Sequence, residues 1–181
     1  REGRLQGLLR ATTVIDRLSQ FFAVIASVLV LLAALISAGN AISRYAFDLS
    51  SNAWLEIQWQ MFAGIFLLGA PYVLKLNGHV RVDMLYAMYS PRGKLWVDVF
   101  GIIFFLLPAC MLMVYLSWPW FLTSYAQGEH SANAGGLLFW PVKGLLPLGF
   151  SLMLLQGLAE LVKRIAGLVG AAEVEMTYEK M

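Results

Sequence analysis

Four long apolar stretches divide the chain, and short polar segments separate them. The first runs from about Phe21 to Ser43 and is interrupted only by serine, glycine and Asn40. The second runs from about Trp54 to Leu76, with Glu56, Gln58 and Gln60 in its first turns. The third runs from about Trp96 to Trp118, with Asp98 at its start, and the fourth from about Leu145 to Val162. A hydrocarbon core about 30 Å thick takes about 20 apolar residues in helical form. Its interior admits a backbone only as helices or closed barrels, because no water is there to pair with peptide groups. The pattern predicts an all-α integral membrane protein, a single membrane domain over residues 1–181. It has four transmembrane helices (21–43, 54–76, 96–118, 145–162) and short amphipathic interfacial helices.

The polar segments carry their own periodicities. Residues 4 to 14 place Leu5, Leu8 and Leu9 on one helical face with Arg4 and Arg10 elsewhere, which predicts a helix lying on the membrane surface within residues 1–20; a solvated tail is the alternative. After the second span, Asn77-Gly78 supplies a helix stop, glycine being suited to the left-handed cap. Pro91, followed by Arg92-Gly93, marks the next break. Residues 79 to 90 between them read as an interfacial helix. His79 and Asp83 then lie within about 40° of each other, and Arg81 sits about 160° from Asp83, too far to pair with it. The loop 119–141 is the longest connection on the other side.

Composition agrees with the pattern. Of 181 residues, 60% are hydrophobic and 13% charged, against about 25% charged in an average soluble domain. The first span is too long for a signal-peptide core and lacks a small-residue cleavage site. One cysteine, Cys110, excludes a disulfide within the chain. Charge sets the orientation. The N-terminal segment holds Arg1, Arg4, Arg10 and Arg17; the central connection holds Lys75, Arg81, Arg92 and Lys94; the tail holds Lys163, Arg164 and Lys180. Only Arg44 and Lys143 fall on the opposite side, so the positive-inside rule predicts both termini in the cytoplasm. The net charge of +2, without a dense basic stripe, predicts no nucleic-acid partner.

Charges inside spans each need a reason. Glu56, Gln60 and Gly64 follow i, i+4, i+8 spacing, a narrow polar and small face suited to helix packing. Asn40 and Arg44 share that spacing at the end of the first span, across a short loop from Glu56. We expect Arg44 to pair with Glu56; a proton or ion site at Glu56 is the functional alternative. Asp98 is expected to favour a helix N-terminus and to pair with Lys94. Glu160 with Lys163 and Arg164 is expected to anchor the end of the fourth span. Pro108 and Pro147 are expected to kink their spans.

The chain has no phosphate-binding loop, dinucleotide fingerprint, CxxC or HExxH. Its two histidines, His79 and His130, fall on opposite sides of the membrane and cannot share a haem or metal. No catalytic residues, cofactor or metal ligands are expected. Four spans without an inverted repeat make a poor transporter by themselves. What remains is a membrane subunit, with a redox-complex anchor or a small independent channel as alternatives.

Several short runs carry a family resemblance. RYAF (44–47), WLE (54–56), FLLGA (66–70) and HVRVD (79–83), in that order and spacing, resemble the small membrane subunit of TRAP transporters, the DctQ-like family. GEHS (128–131), GGL (135–137), Lys143 and PLGFSLMLLQG (147–157) look like its mannitol/chloroaromatic branch. Ile57 and Gln60 stand where many members carry an acidic and a basic residue. The resemblance implies a tripartite importer of an organic acid. A periplasmic binding protein delivers the solute, and a large membrane subunit holds the substrate and sodium sites. The small subunit is a scaffold that does not bind substrate, in the bacterial inner membrane. It casts Arg44, Trp54, Glu56, Gln60, His79, Arg81 and Asp83 as contacts to the large subunit or to lipid. It places Glu129, His130, Gly135 and Gly136 in the periplasmic loop, near where the binding protein docks. The alternative for His79, Arg81 and Asp83 is that they only set topology.

Overall fold

The computed structural model describes residues 2–49, 51–78 and 88–170. Helix α1 spans Glu2–Phe47 and α2 spans Asn52–Lys75. The third span is composite: α3 (Pro91–Gly101), one π-helical turn (Ile102–Leu106), then α4 (Leu107–Gln127). Helix α5 covers Trp140–Leu168. Each of these four spans is long and apolar enough to cross a membrane. Among the described residues no strand forms beyond an isolated bridge between His130 and Leu138.

Several boundaries differ from the sequence expectation, and the fourth helix extends past the expected 145–162 at both ends. The N-terminal segment is not a separate surface helix, because α1 runs unbroken through residues 1–20 as far as they are described. Nothing in the stretch from Leu8 to Ser19 breaks a helix, and the Thr12 and Thr13 hydroxyls donate back to the Leu9 carbonyl at 2.8 and 3.1 Å within it. The third span is longer than expected, since α4 continues to Gln127 past Pro119 and leaves only residues 128–139 as the loop. It also starts earlier. Ser90 caps α3 by accepting from the Gly93 N–H at 3.2 Å, with Pro91 at the first helical position, where a missing N–H costs nothing. Asp98 therefore sits two turns inside the helix rather than at its start.

Helix α5 is the hub. Helices α1 and α2 pack on each other and on α5, whereas among the described residues the third span packs chiefly on α5. Glycines set the closest approaches. A Cβ on Gly149 would lie 2.7 Å from the Leu67 Cβ and 2.9 Å from the Leu67 carbonyl oxygen, so α2 and α5 touch backbone to backbone. Small residues allow this in membrane bundles, where packing rather than water expulsion drives association. Gly157 admits Leu106 and Leu107, which docks the π turn onto α5. That wide turn, closed by the Leu107 N–H on the Ile102 carbonyl, immediately precedes Pro108, whose ring disturbs ordinary i−4 bonding. Ala26, Leu68 and Leu152 form the buried apolar core between α1, α2 and α5.

The bundle has two distinguishable ends. The start of α1, the end of α2, the start of α3 and the end of α5 share the terminal end. The loop 128–139 lies at the other, the loop end. Trp54, Trp59, Trp118, Trp120 and Trp140 gather near the loop end and Trp96 near the terminal end, as interfacial tryptophans do.

Candidate functional site

Two polar clusters hold the bundle, one at each end. At the loop end the centre is Glu56, 97% removed from solvent with 3% exposure. Its Oε1 accepts from the Ser131 hydroxyl and from the Asn133 amide, the latter at 2.8 Å; its Oε2 accepts from the Leu137 N–H at 2.7 Å. One turn on, the Gln60 amide donates to the Leu138 carbonyl at 3.2 Å. The acidic face of α2 thus receives the loop, not α1. Arg44 is exposed and the expected Arg44–Glu56 pair does not form. A carboxylate has four acceptor directions, and the folded loop offers it aligned neutral donors at close range.

The loop is shaped for that seat. Gly128 takes a left-handed conformation (φ +58°) that ends α4, with the Glu129 N–H on the Ser124 carbonyl at 3.1 Å. The chain then folds back on itself: the Ser131 N–H meets the Leu137 carbonyl and the Phe139 N–H the Glu129 carbonyl, both at 2.9 Å. Gly135 (φ +71°) makes the tip, and a Cβ on Gly136 would lie 2.8 Å from the Ser131 carbonyl oxygen. Lys143 pairs with Glu129 and lies 4.4 Å from the Trp120 ring centroid. The hydrogen bond from Lys143, then that from Ser124, holds the Glu129 carboxyl below its ordinary range. His130 and Trp54 are exposed beside this seat.

At the terminal end the centre is Gln156, fully buried on α5. Its Oε1 accepts from the Ser19 hydroxyl at 2.7 Å, and its Nε2 donates to Asp16 at 2.9 Å and Glu160 at 3.0 Å. Lys163 donates to both Asp16 oxygens at 2.7 Å and to Glu160 at 2.9 Å. Arg164 extends the cluster outward. Its Nε donates to Asp98 on α3 at 2.9 Å, its Nη1 to the Glu160 carboxylate, and its Nη2 to the Asn77 side-chain oxygen at 2.6 Å. Four spans meet along about two turns of α5, from Gln156 to Arg164. Asp98 serves Arg164 rather than a helix N-terminus. Spacing foretold the Glu160 pairs, because i+3 and i+4 contacts are local.

Asn77 shows why the expected glycine stop is only half right. Asn77, not Gly78, takes the left-handed position (φ +52°), and the Gly78 N–H closes on the Val73 carbonyl at 2.9 Å. Asparagine tolerates that region, and its side chain reaches Arg164, as a glycine there could not. His79, Arg81 and Asp83, with most of the expected helix 79–90, lie outside the described residues.

Residues 33–167 match the family model for the DctQ component of tripartite ATP-independent periplasmic transporters. The chain belongs to the DctQ family. No curated protein and no solved structure gives a significant match. As a DctQ protein it is the small membrane subunit of a TRAP transporter and a transporter component rather than an enzyme. It resides in the bacterial inner membrane, and its family works with a large membrane subunit and a periplasmic binding protein. The redox-anchor alternative gives way to this membership. The DctQ match covers both clusters except for Asp16 and Ser19, which precede residue 33.

Proposed function

We propose that this DctQ chain is the fixed scaffold of an importer that takes up an organic acid with sodium, and that it does not bind the solute itself. The observation that carries the reading is how its ionisable groups are used. Asp16, Glu56, Asp98, Glu160, Lys163 and Arg164 are all engaged by partners within the chain. Groups committed in this way make a rigid bundle and leave little with which to coordinate a carboxylate or a cation. Sodium and substrate sites then belong to the large subunit, with both termini of this chain in the cytoplasm.

On this reading the loop 128–139, with Glu129, His130, Gly135 and Gly136, is a preformed pad for the binding protein. Arg44 and Trp54, exposed at the same end, are contacts for the large subunit or lipid. Glu56 and Gln60 act indirectly, by holding the pad. The test is reconstitution of the large subunit in proteoliposomes, with and without this chain, under a sodium gradient and with the binding protein outside. Expected are uptake only when both membrane subunits are present and a lower unfolding temperature of the large subunit alone. Full uptake by the large subunit alone would overturn the scaffold role. An organic acid that shifts the melting of the isolated chain would overturn its passivity. Unchanged binding-protein-dependent uptake after deletion of residues 130–134 would remove the pad.

A further inference from the structure

The seam by which α1 joins the bundle is marked by Thr12, Ser19, Ala26 and Ala33, all buried. At about 100° per residue, Arg10 and Arg17 lie within about 20° of each other and about 160–180° from Ser19. Both arginines are exposed. Neither forms an ion pair with any described residue. They point away from the bundle, into whatever surrounds it.

What surrounds it is set by the rest of that face. Toward the middle of α1 the stripe continues with Phe21, Val24, Val28, Leu31 and Leu35, every one exposed and charge-free as far as Arg44. That part faces acyl chains. Arg17 stands one turn outside Phe21, level with the Asp16–Lys163 and Ser19–Gln156 contacts of the terminal end. Arg10 stands about 10 Å further along the axis, just beyond the outer edge of a headgroup layer about 5–8 Å deep on each side, within reach of that layer for a long basic side chain. Val14, between them on the same face, is also exposed, which suits a layer where carbon and phosphate mix. Two guanidinium groups on a lipid-facing stripe, at headgroup depth, with no carboxylate of the described chain to neutralise them, call for anionic oxygen. Guanidinium forks match phosphate oxygens in pairs.

We propose that the Arg10–Arg17 face of α1 is a binding site for the phosphate headgroup of an anionic phospholipid. The site fixes the depth of the helix and, through the Asp16 and Ser19 contacts one residue and two residues along, the depth of the terminal-end cluster. It gives the long α1 a definite emergence point, which its continuous helix does not otherwise mark. A basic side chain near an anionic membrane surface contributes about 1 kcal/mol, or about fivefold in occupancy.

The test uses the full chain, purified in mild detergent and equilibrated with mixed micelles of phosphatidylglycerol and phosphatidylcholine. Retained lipid is quantified by mass spectrometry. The wild type should enrich phosphatidylglycerol; Arg17→Gln and Arg10→Gln should each lower that enrichment about fivefold, and the pair about 25-fold. Arg92→Gln, an exposed arginine on α3 at the same end but off this face, should leave it unchanged. Inorganic phosphate at millimolar concentration should not compete if the acyl chains contribute; full competition would assign the site to free phosphate and overturn the lipid reading. Undiminished enrichment in the double variant would overturn the proposal. So would an equal loss in Arg92→Gln. Loss of the large subunit on co-purification, with lipid retention unchanged, would assign the face to that protein instead. All three substitutions are at exposed positions, and circular dichroism of each variant separates lost binding from lost fold.

Discussion

Glu56 illustrates how a single side chain can be seen in a sequence and still be misassigned. Its position in a span marks it as a residue that needs a partner, and Arg44 is the nearest cation along the chain. The folded loop brings three donors instead. Glu56→Gln should turn an amide N–H toward one of those donors, at a cost of about 1–3 kcal/mol. Hydrogen exchange at residues 131–138 should speed up while the α2 core stays protected; unchanged loop exchange would refute this seat. Asn77 allows a sharper discrimination. If it is only a helix stop, Asn77→Gly should be neutral or stabilising. Because its side-chain oxygen accepts from Arg164 at 2.6 Å, the substitution should instead lower stability by about 1–2 kcal/mol, measured by thermal unfolding in detergent. Glu129 supplies a pH signature. Its folded-state carboxyl lies below the ordinary value of 4.5, chiefly through the Lys143 hydrogen bond. Its stabilising contribution is therefore present above about pH 4.5 and is lost as pH falls through the lowered folded-state value. Tryptophan fluorescence from the Trp120 environment should report that acid step, and Glu129→Gln should remove it.

At the scale of elements, hydrophobic runs identified all four spans, and turn chemistry read from the sequence marked the stop of the second at Asn77-Gly78 and a break at Pro91. Ser90-Pro91 starts α3 and Gly128 stops α4 by local rules that need no tertiary partner. Where local rules were silent the boundaries moved. No residue between Leu8 and Ser19 forbids a helix, so α1 absorbs the N-terminal segment; Pro119 is tolerated within α4. The π turn before Pro108 is likewise invisible to a 3.6-residue pattern. Packing of elements is governed by where backbones must meet. Gly149→Ala should push α2 from α5, since the new Cβ would sit 2.9 Å from the Leu67 carbonyl oxygen. Overpacking of this kind costs about 1–3 kcal/mol. A thermal-unfolding midpoint equal to the wild type would show that α2 can shift freely.

At the scale of the molecule, α5 is the helix on which every other span packs. Among the described residues the third span packs chiefly on α5, pinned by Gly157 at the π turn and by the Arg164–Asp98 pair. Arg164 and Glu160 have side chains only 5% exposed. Removing one partner of a buried pair leaves a charge uncompensated, at about 3–5 kcal/mol. Arg164→Met should destabilise the chain accordingly. Adding Asp98→Asn and Glu160→Gln should recover part of the loss, as read from unfolding midpoints of the single and triple variants. Simple additivity among them would argue against one connected cluster.

The sequence by itself determined the class of the molecule. Length and apolarity of four segments require membrane helices, because nothing else satisfies a backbone in hydrocarbon. Order and spacing of short runs such as RYAF, WLE and PLGFSLMLLQG carried the family resemblance, which the match over residues 33–167 shows to be membership. Ion pairs three or four residues apart were legible for the same local reason. Only the tertiary structure decided the long-range partners. Asp16 reaches Lys163, Ser19 reaches Gln156, and Glu56 reaches Leu137. Each contact depends on how helices cross and how a loop folds back, and side-chain reach is set by that geometry rather than by separation along the chain.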